Sequence, residues 1–273
     1  MAVCLSEPVE TTSMSSVTKP IQASEYFSQR PELRQSHAAA SPQLSPHGAW
    51  TPNQRAIAAT YNRLGGLFSR LATLVDVSVA AVLAVWFVES SGVSLTPGRA
   101  SLRFEVGKFL TAWGRANAAG FDTHFRCGGH NGTPGKPWQN HAYRSAEAEM
   151  FAPVHANSSS EYAALQLAQR LSSEEIAVGC ASIGGCQILL SNYGMLGYPS
   201  ATEMFEAFQQ SENAHVLGFF DFCARQAGGL IGYLQKRDFA TFALHYNGPG
   251  QVELYSGKLR SANADAEAVL GGR

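Results

Sequence analysis

The segment "LATLVDVSVAAVLAVWFV", residues 71 to 88, constrains the fold more than any other stretch of the chain. It is interrupted by Asp76 and Ser78, so its unbroken apolar run falls short of the ~20 residues that cross a bilayer as a helix. Residues Val77 to Glu89 are apolar on every side, the pattern of a helix buried at a domain centre rather than lying on its surface. That run ends abruptly in "ESSG", which puts the Glu89 carboxyl at the end of a greasy helix.

The chain has 273 residues, of which 45% are hydrophobic, enough for a sizeable core. Only 15% are charged and the formal net charge is -1, so no broad basic surface points to nucleic acid or anionic lipid. Five cysteines form no CxxC pair and leave an odd thiol, which predicts reduced, mostly buried side chains. Cys127, His130 and His141 do not have the spacing of a structural zinc site, and no metal is expected.

Residues 1 to 50 are rich in Ser, Pro, Thr, Gln and Ala without periodicity, which predicts a flexible, disordered leader before a domain spanning 51 to 273. The first residues, "MAVCLSEPVETTSMSS", lack the apolar core of a signal peptide. Ile57, Tyr61, Leu64, Phe68, Leu71 and Val75 recur at helical steps, with Gly65-Gly66 interrupting the stripe. Further helices are predicted near Glu105, over 160–171, 173–180, 184–191, 200–210, 212–227, 229–236 and 238–246, and from about Lys258 to Leu270. Ser172 stands three residues before Glu175 in capping-box spacing, and Ser211 opens the helix that follows it. The stretch "CGGHNGTPGKPWQNHAYR", residues 127 to 144, reads as a long irregular loop, a common place for function. It is not a phosphate loop, because His130 and Pro137 stand where a glycine and a hydroxyl residue are needed. The fold class is mainly α.

Three separated motifs stand in order: "VESSG" at 88–92, "ASIGGCQIL" at 181–189 and "FALHYNGPG" at 242–250. "PGRASLRFE" and "NYGMLGYPSATEMF" join them. Together they resemble the N-acetylmuramidase family of the lysozyme-like superfamily, found in phage endolysins and related bacterial proteins, over roughly residues 55 to 270. The chain departs from that pattern at Ile183, where the family usually has Trp, and at Gly107, where it has His two residues after the second Glu. The resemblance implies a lysozyme-like domain around a buried central helix. It further implies hydrolysis of the MurNAc-GlcNAc β-1,4 bond of peptidoglycan, with Ser182 and Gln187 lining the sugar cleft, Tyr246 orienting the acid, and Asn247 binding substrate. No cofactor is implied.

Glycoside hydrolysis needs a protonated acid at the leaving oxygen and a second group that activates water or stabilises the cationic transition state. Glu89, at the negative end of a buried helix, is expected to hold its proton, and is assigned as general acid. Glu105, near the start of a helix, is expected to stay ionised and to act as base or stabiliser. By spacing alone, Glu89 reads first as an ordinary helix-end residue before a Gly92 C-cap, a reading the joint motifs reverse, and Glu105 is equally a charge favoured by the helix dipole. Two other functions fit the same motifs: a lytic transglycosylase, which leaves anhydro-muramic ends, and a non-catalytic cell-wall binder. Without a signal peptide, action in the periplasm or cell wall implies delivery by a phage holin, as for an endolysin, or by a secretion machine, as for a type VI toxin effector. The latter would bring an immunity protein or a secretion-machine component as partner, beside the peptidoglycan strands.

Overall fold

The computed structural model describes residues 26–45, 48–96, 98–226 and 229–271. After α1 (Pro31–Arg34), the long α2 (Pro52–Leu74) starts where its sequence dictates. The Thr51 hydroxyl accepts from Gln54 N–H, the Gln54 side chain returns the bond to Thr51 N–H, and Pro52 occupies the first turn, where a missing donor costs nothing. The helix runs unbroken through Gly65-Gly66. A Cβ on Gly66 would meet the Ala39 carbonyl oxygen at 2.3 Å, and Gly66 N–H donates to Ala38 O. Gly66 therefore admits a crossing chain, and Gly65 leaves room for the Tyr61 ring of the same helix, so neither ends it.

That crossing chain belongs to the segment expected as a flexible leader, part of which is built into the domain. A 3-10 turn at Phe27–Gln29 and α1 lie against a later helix, α9 (Glu212–Arg225), with Phe27 and Leu33 buried. The Asp221 carboxylate accepts from Phe27 N–H at 2.7 Å and Ser28 N–H at 3.0 Å. Residues 1–25, Cys4 included, lie outside the described residues.

The central helix is α3 (Val79–Ser90), in which Ala80 to Trp86 are all buried. It packs between α2 and the last described helix, α12 (Val252–Gly271), as an all-apolar helix must. Beyond it lie the two-stranded β1 (Leu95–Thr96) and β2 (Arg99–Ala100), then β3 (Leu102–Phe104), α4 (Val106–Ala112) and α5 (Ala118–His124). The glycine-rich region is framed by a small antiparallel sheet, β4 (Phe125–Arg126), β5 (Ala142–Tyr143) and β6 (Ala152–Pro153).

α6 (Ser158–Leu171) and α7 (Glu174–Gly179) follow. The cap of α7 is Ser173, accepting from Ile176 N–H, and not Ser172, whose hydroxyl turns back to Ala168 O. Glu175 is instead spent on the start of α8 (Ala201–Gln210), accepting from the backbone N–H groups of Ala201 and Thr202. The predicted helix over 184–191 is absent. In its place β7 (Ala181–Ile183) turns into β8 (Ile188–Leu189), and a 3-10 stretch covers Leu190–Leu196. Gly184 (φ 81°) makes the turn, and a Cβ on Gly185 would sit 2.0 Å from the Trp86 indole, so the hairpin lies directly on the central helix.

The remaining helices are α9 (Glu212–Arg225), capped by Ser211 as expected, α10 (Leu230–Lys236), α11 (Phe239–Tyr246) and α12 (Val252–Gly271), which begins six residues before the expected Lys258. The domain is mainly α, as predicted. No described helix is long and apolar enough to cross a membrane.

Candidate active site

β3 pairs antiparallel with β7, and β7 with β8, so that Arg103 faces Ser182 and Phe104 faces Ala181. This sheet, the end of α3 and the turn between α11 and α12 enclose a cleft of about 940 Å³. Glu89, Glu105, Ser182, Gln187 and Asn247, five of the six residues expected from sequence, line it.

Glu89 reaches the cleft because α3 stops immediately after it. Ser90 Oγ donates to Trp86 O, and Ser91 takes the left-handed conformation (φ 52°) that closes the helix, its N–H bonding Phe87 O at 2.8 Å. Asn247, the residue that ends α11, donates from Nδ2 to Glu89 Oε1 at 2.9 Å. Burial pushes the Glu89 carboxyl up to about 7, against the opposing pull of the Asn247 hydrogen bond and the Lys258 charge. Glu89 is thus a carboxylic acid near neutrality, held by one donor and open to the cleft.

Glu105 occupies the position before α4, with its N–H on Cys180 O and its carbonyl accepting from Lys108 and Phe109. Its side chain makes no cap to the helix. Oε1 instead accepts from Arg103 Nε at 2.9 Å, and Oε2 lies 4.0 Å from His141 Nδ1. The guanidinium, more than the helix start, is what faces this carboxylate with positive charge.

The hold on the Glu89 carboxyl expected of Tyr246 falls to Asn247 instead. Tyr246 lies beneath the cleft and donates its hydroxyl to Cys186 O at 2.7 Å, not to Glu89. Its ring stacks on Phe242 at 5.0 Å, and burial pushes the phenol well above its ordinary value. Tyr246 therefore holds the backbone beside Gln187, while Asn247 orients the acid. Gln187 sits at φ 49° with Nε2 donating to Gly184 O at 3.0 Å. That bond fixes the amide at the cleft wall.

Sequence reasoning missed Arg103 and Tyr255. The first was detectable, because residues two apart in a strand share a face and Arg103 stands two before Glu105. Tyr255, on the first turn of α12, also lines the cleft, and its phenol is raised by burial and by the negative charge of Glu89 and Glu105. No motif marked it. From the 127–144 loop Trp138 reaches the rim with half its surface exposed (53%). Among the described residues no three metal-ligating side chains gather: His130 bonds Asp122, and His141 bonds Pro137 and His155. The described cysteines Cys127, Cys180, Cys186 and Cys223 are free and buried.

A carboxyl raised to about 7 and a guanidinium-paired carboxylate thus share an open cleft with fixed amides and a hydroxyl. The family model for N-acetylmuramidase matches residues 78–267, and the chain belongs to that family. Its fold is similar to that of the Burkholderia AP3 phage endolysin, whose crystal structure aligns with a TM-score of 0.55 at 25% identity, covering 82% of this chain and 74% of that one. No curated protein matches. Family and fold together place the chain among the peptidoglycan hydrolases, enzymes of the glycoside-hydrolase type.

Proposed function

We propose that the chain hydrolyses the MurNAc-GlcNAc β-1,4 bond, with Glu89 protonating the leaving oxygen and Glu105 activating water or stabilising the oxocarbenium-like transition state. The observation that carries this is the contrast between the carboxyls: Glu89 is raised to about 7, whereas Glu105 is paired with Arg103 in the same cleft. An acid poised near neutrality gives both a substantial protonated fraction and a ready proton. A second, charge-paired carboxylate favours hydrolysis over transglycosylation, where the sugar's own hydroxyl closes the ring and no base for water is needed. Ser182, Gln187 and Asn247 offer neutral hydrogen-bonding groups suited to hydroxyl and N-acetyl substituents.

The test is digestion of purified sacculi followed by mass spectrometry. Ordinary reducing ends from the wild type and none from Glu89→Gln are expected. Anhydro-muramic ends would sink the hydrolase mechanism, and wall binding by both proteins without cleavage by either would make the domain a binder. We place the action at the bacterial cell wall, after release by a phage holin or delivery as a type VI effector. Expression confined to the cytoplasm should then leave cells intact, and expression directed to the periplasm should lyse them. An immunity protein that abolishes periplasmic lysis would mark the effector route.

A further inference from the structure

The acid/base scheme makes no use of the one aromatic ring left bare. Trp138, 53% exposed, is the only Phe, Tyr or Trp classed as exposed among the described residues, and it stands on the cleft that holds Glu89 and Glu105. Trp86 is fully buried, and the Trp113 indole stacks on Phe109 at 5.2 Å. A lone exposed apolar side chain is ordinary on a protein surface. What sets Trp138 apart is its mount.

The ring stands on a closely bonded turn. Gln139 N–H donates to Lys136 O at 2.8 Å, and the Gln139 side chain accepts from Lys136 N–H at 2.9 Å, so residues 136–139 close around Trp138. Gly128 N–H then donates to Gln139 O at 2.7 Å, and His141 Nε2 donates to Pro137 O at 2.8 Å. Two glycines let the turn sit so deep: a Cβ on Gly128 would meet Lys136 O, and one on Gly107 would meet Pro137 O, each at 2.2 Å. Lys136 Nζ lies 5.2 Å from the indole centroid, within cation–π range, and steadies the ring. A group held in this way has little freedom left to lose when a ligand settles on it. Gly107 stands two residues past Glu105, so the turn brings Trp138 to the cleft from the Glu105 side, whereas Asn247 meets Glu89 from the turn after α11.

We propose that Trp138 is a sugar-binding platform, on which a pyranose ring of the glycan strand stacks as the strand leaves the cleft past Glu105. The proposal rests on the reading of the cleft as a glycan-cleaving site and adds a residue that grips the strand away from the reacting bond. In β-1,4-linked N-acetylhexosamines of gluco configuration the ring substituents are equatorial, so each face of the ring presents axial C–H bonds. Their partial positive charge suits the negative face of an indole, and the hydroxyl and N-acetyl edges stay free to hydrogen-bond. A contact made equally before and during bond cleavage tightens binding without speeding the chemical step, so Trp138 acts on KM rather than on kcat.

Peptide-free glycan strands, freed from sacculi by an amidase, can be titrated into the Glu89→Gln protein, which should leave them intact. Their binding should blue-shift the indole emission, and adding Trp138→Tyr should remove that shift while keeping the affinity within about threefold. Trp138→Ala and Trp138→Leu should each bind about tenfold more weakly, the scale of one aromatic contact. Full affinity in Trp138→Ala, a Leu variant as tight as Tyr, or a blue shift that survives Trp138→Tyr overturns the proposal. In the otherwise wild-type chain, reducing-end release by Trp138→Ala should show KM raised about tenfold with kcat within about twofold; a loss confined to kcat overturns it as well. The two levels fail separately. Strands that bind through Trp138 to a wild-type chain that cuts nothing would end the catalytic reading alone, whereas normal cutting with unchanged binding in Trp138→Ala would end the platform alone.

Discussion

Replacing Glu89 by Gln should make the protein more stable while abolishing cleavage, and the gain should appear only above acidic pH. In the folded chain the carboxyl titrates at about 7, against 4.5 unperturbed, because burial penalises its charge. Below pH 4.5 the group is protonated in both folded and unfolded states and contributes nothing to the pH dependence. Between 4.5 and about 7 the unfolded chain releases the proton and the folded chain keeps it, so stability falls as pH rises; above 7 the full cost is present. At about 1.4 kcal/mol per pH unit the ceiling on that cost is roughly 3 kcal/mol, and with the carboxyl open to the cleft about 2 kcal/mol is expected. Gln mimics the protonated acid and its Oε1 can still accept from Asn247, so it avoids the cost without emptying the site. Urea unfolding of both proteins at pH 4.5 and pH 8 measures the difference, with turbidity clearing of sacculi as the activity control. A variant no more stable than wild type at pH 8, or equally stabilised at both pH values, would refute the assignment of a buried, proton-holding Glu89.

Three further outcomes follow from the same geometry. Asn247→Ala removes a hydrogen bond that favours ionised Glu89, so the alkaline limb of the pH–rate profile, expected near 7 in the wild type, should move upward, with the maximal rate reduced about tenfold; an unmoved limb contradicts the hold of Asn247 on Glu89. Gly185→Ala puts a methyl on the Trp86 indole and should cost about 2 to 3 kcal/mol in urea unfolding, the scale of core overpacking. His215, buried with Nε2 donating to Phe208 O, is held down to about 4 by burial, so from pH 6.5 downward the unfolded chain takes a proton the folded chain refuses. This group's contribution should therefore fall by about 2 kcal/mol through that window, opposing that of Glu89, so the stability of His215→Phe relative to wild type should rise by about that amount from pH 6.5 to pH 4 whatever its baseline.

Much of the helical frame was legible because helices are local: the cap at Ser211, the all-apolar face of α3 and the stop after Glu89 depend on residues within a few turns of one another. The hairpin at 181–189 was not. Its apolar run has no decisive period, and its two glycines answer to distant groups, the His215 ring against Gly184 and the indole of Trp86 against Gly185. The leader shows the same limit, since Phe27 and Ser28 are fixed by a carboxylate 194 and 193 residues away.

In the site, sequence alone determined which carboxyl ends the buried helix and that a second stands at a later helix start. Burial and helix polarity act within one segment. Only the tertiary structure decided who holds each of them. Asn247 rather than Tyr246 reaches Glu89 because α11 ends beside the last turn of α3, and His141 stands 4.0 Å from Glu105, beyond its near neighbour Arg103, because the 127–144 loop folds onto α4. Hydrogen bonds act over about 3 Å, and pairs that close are chosen by packing between segments far apart in sequence.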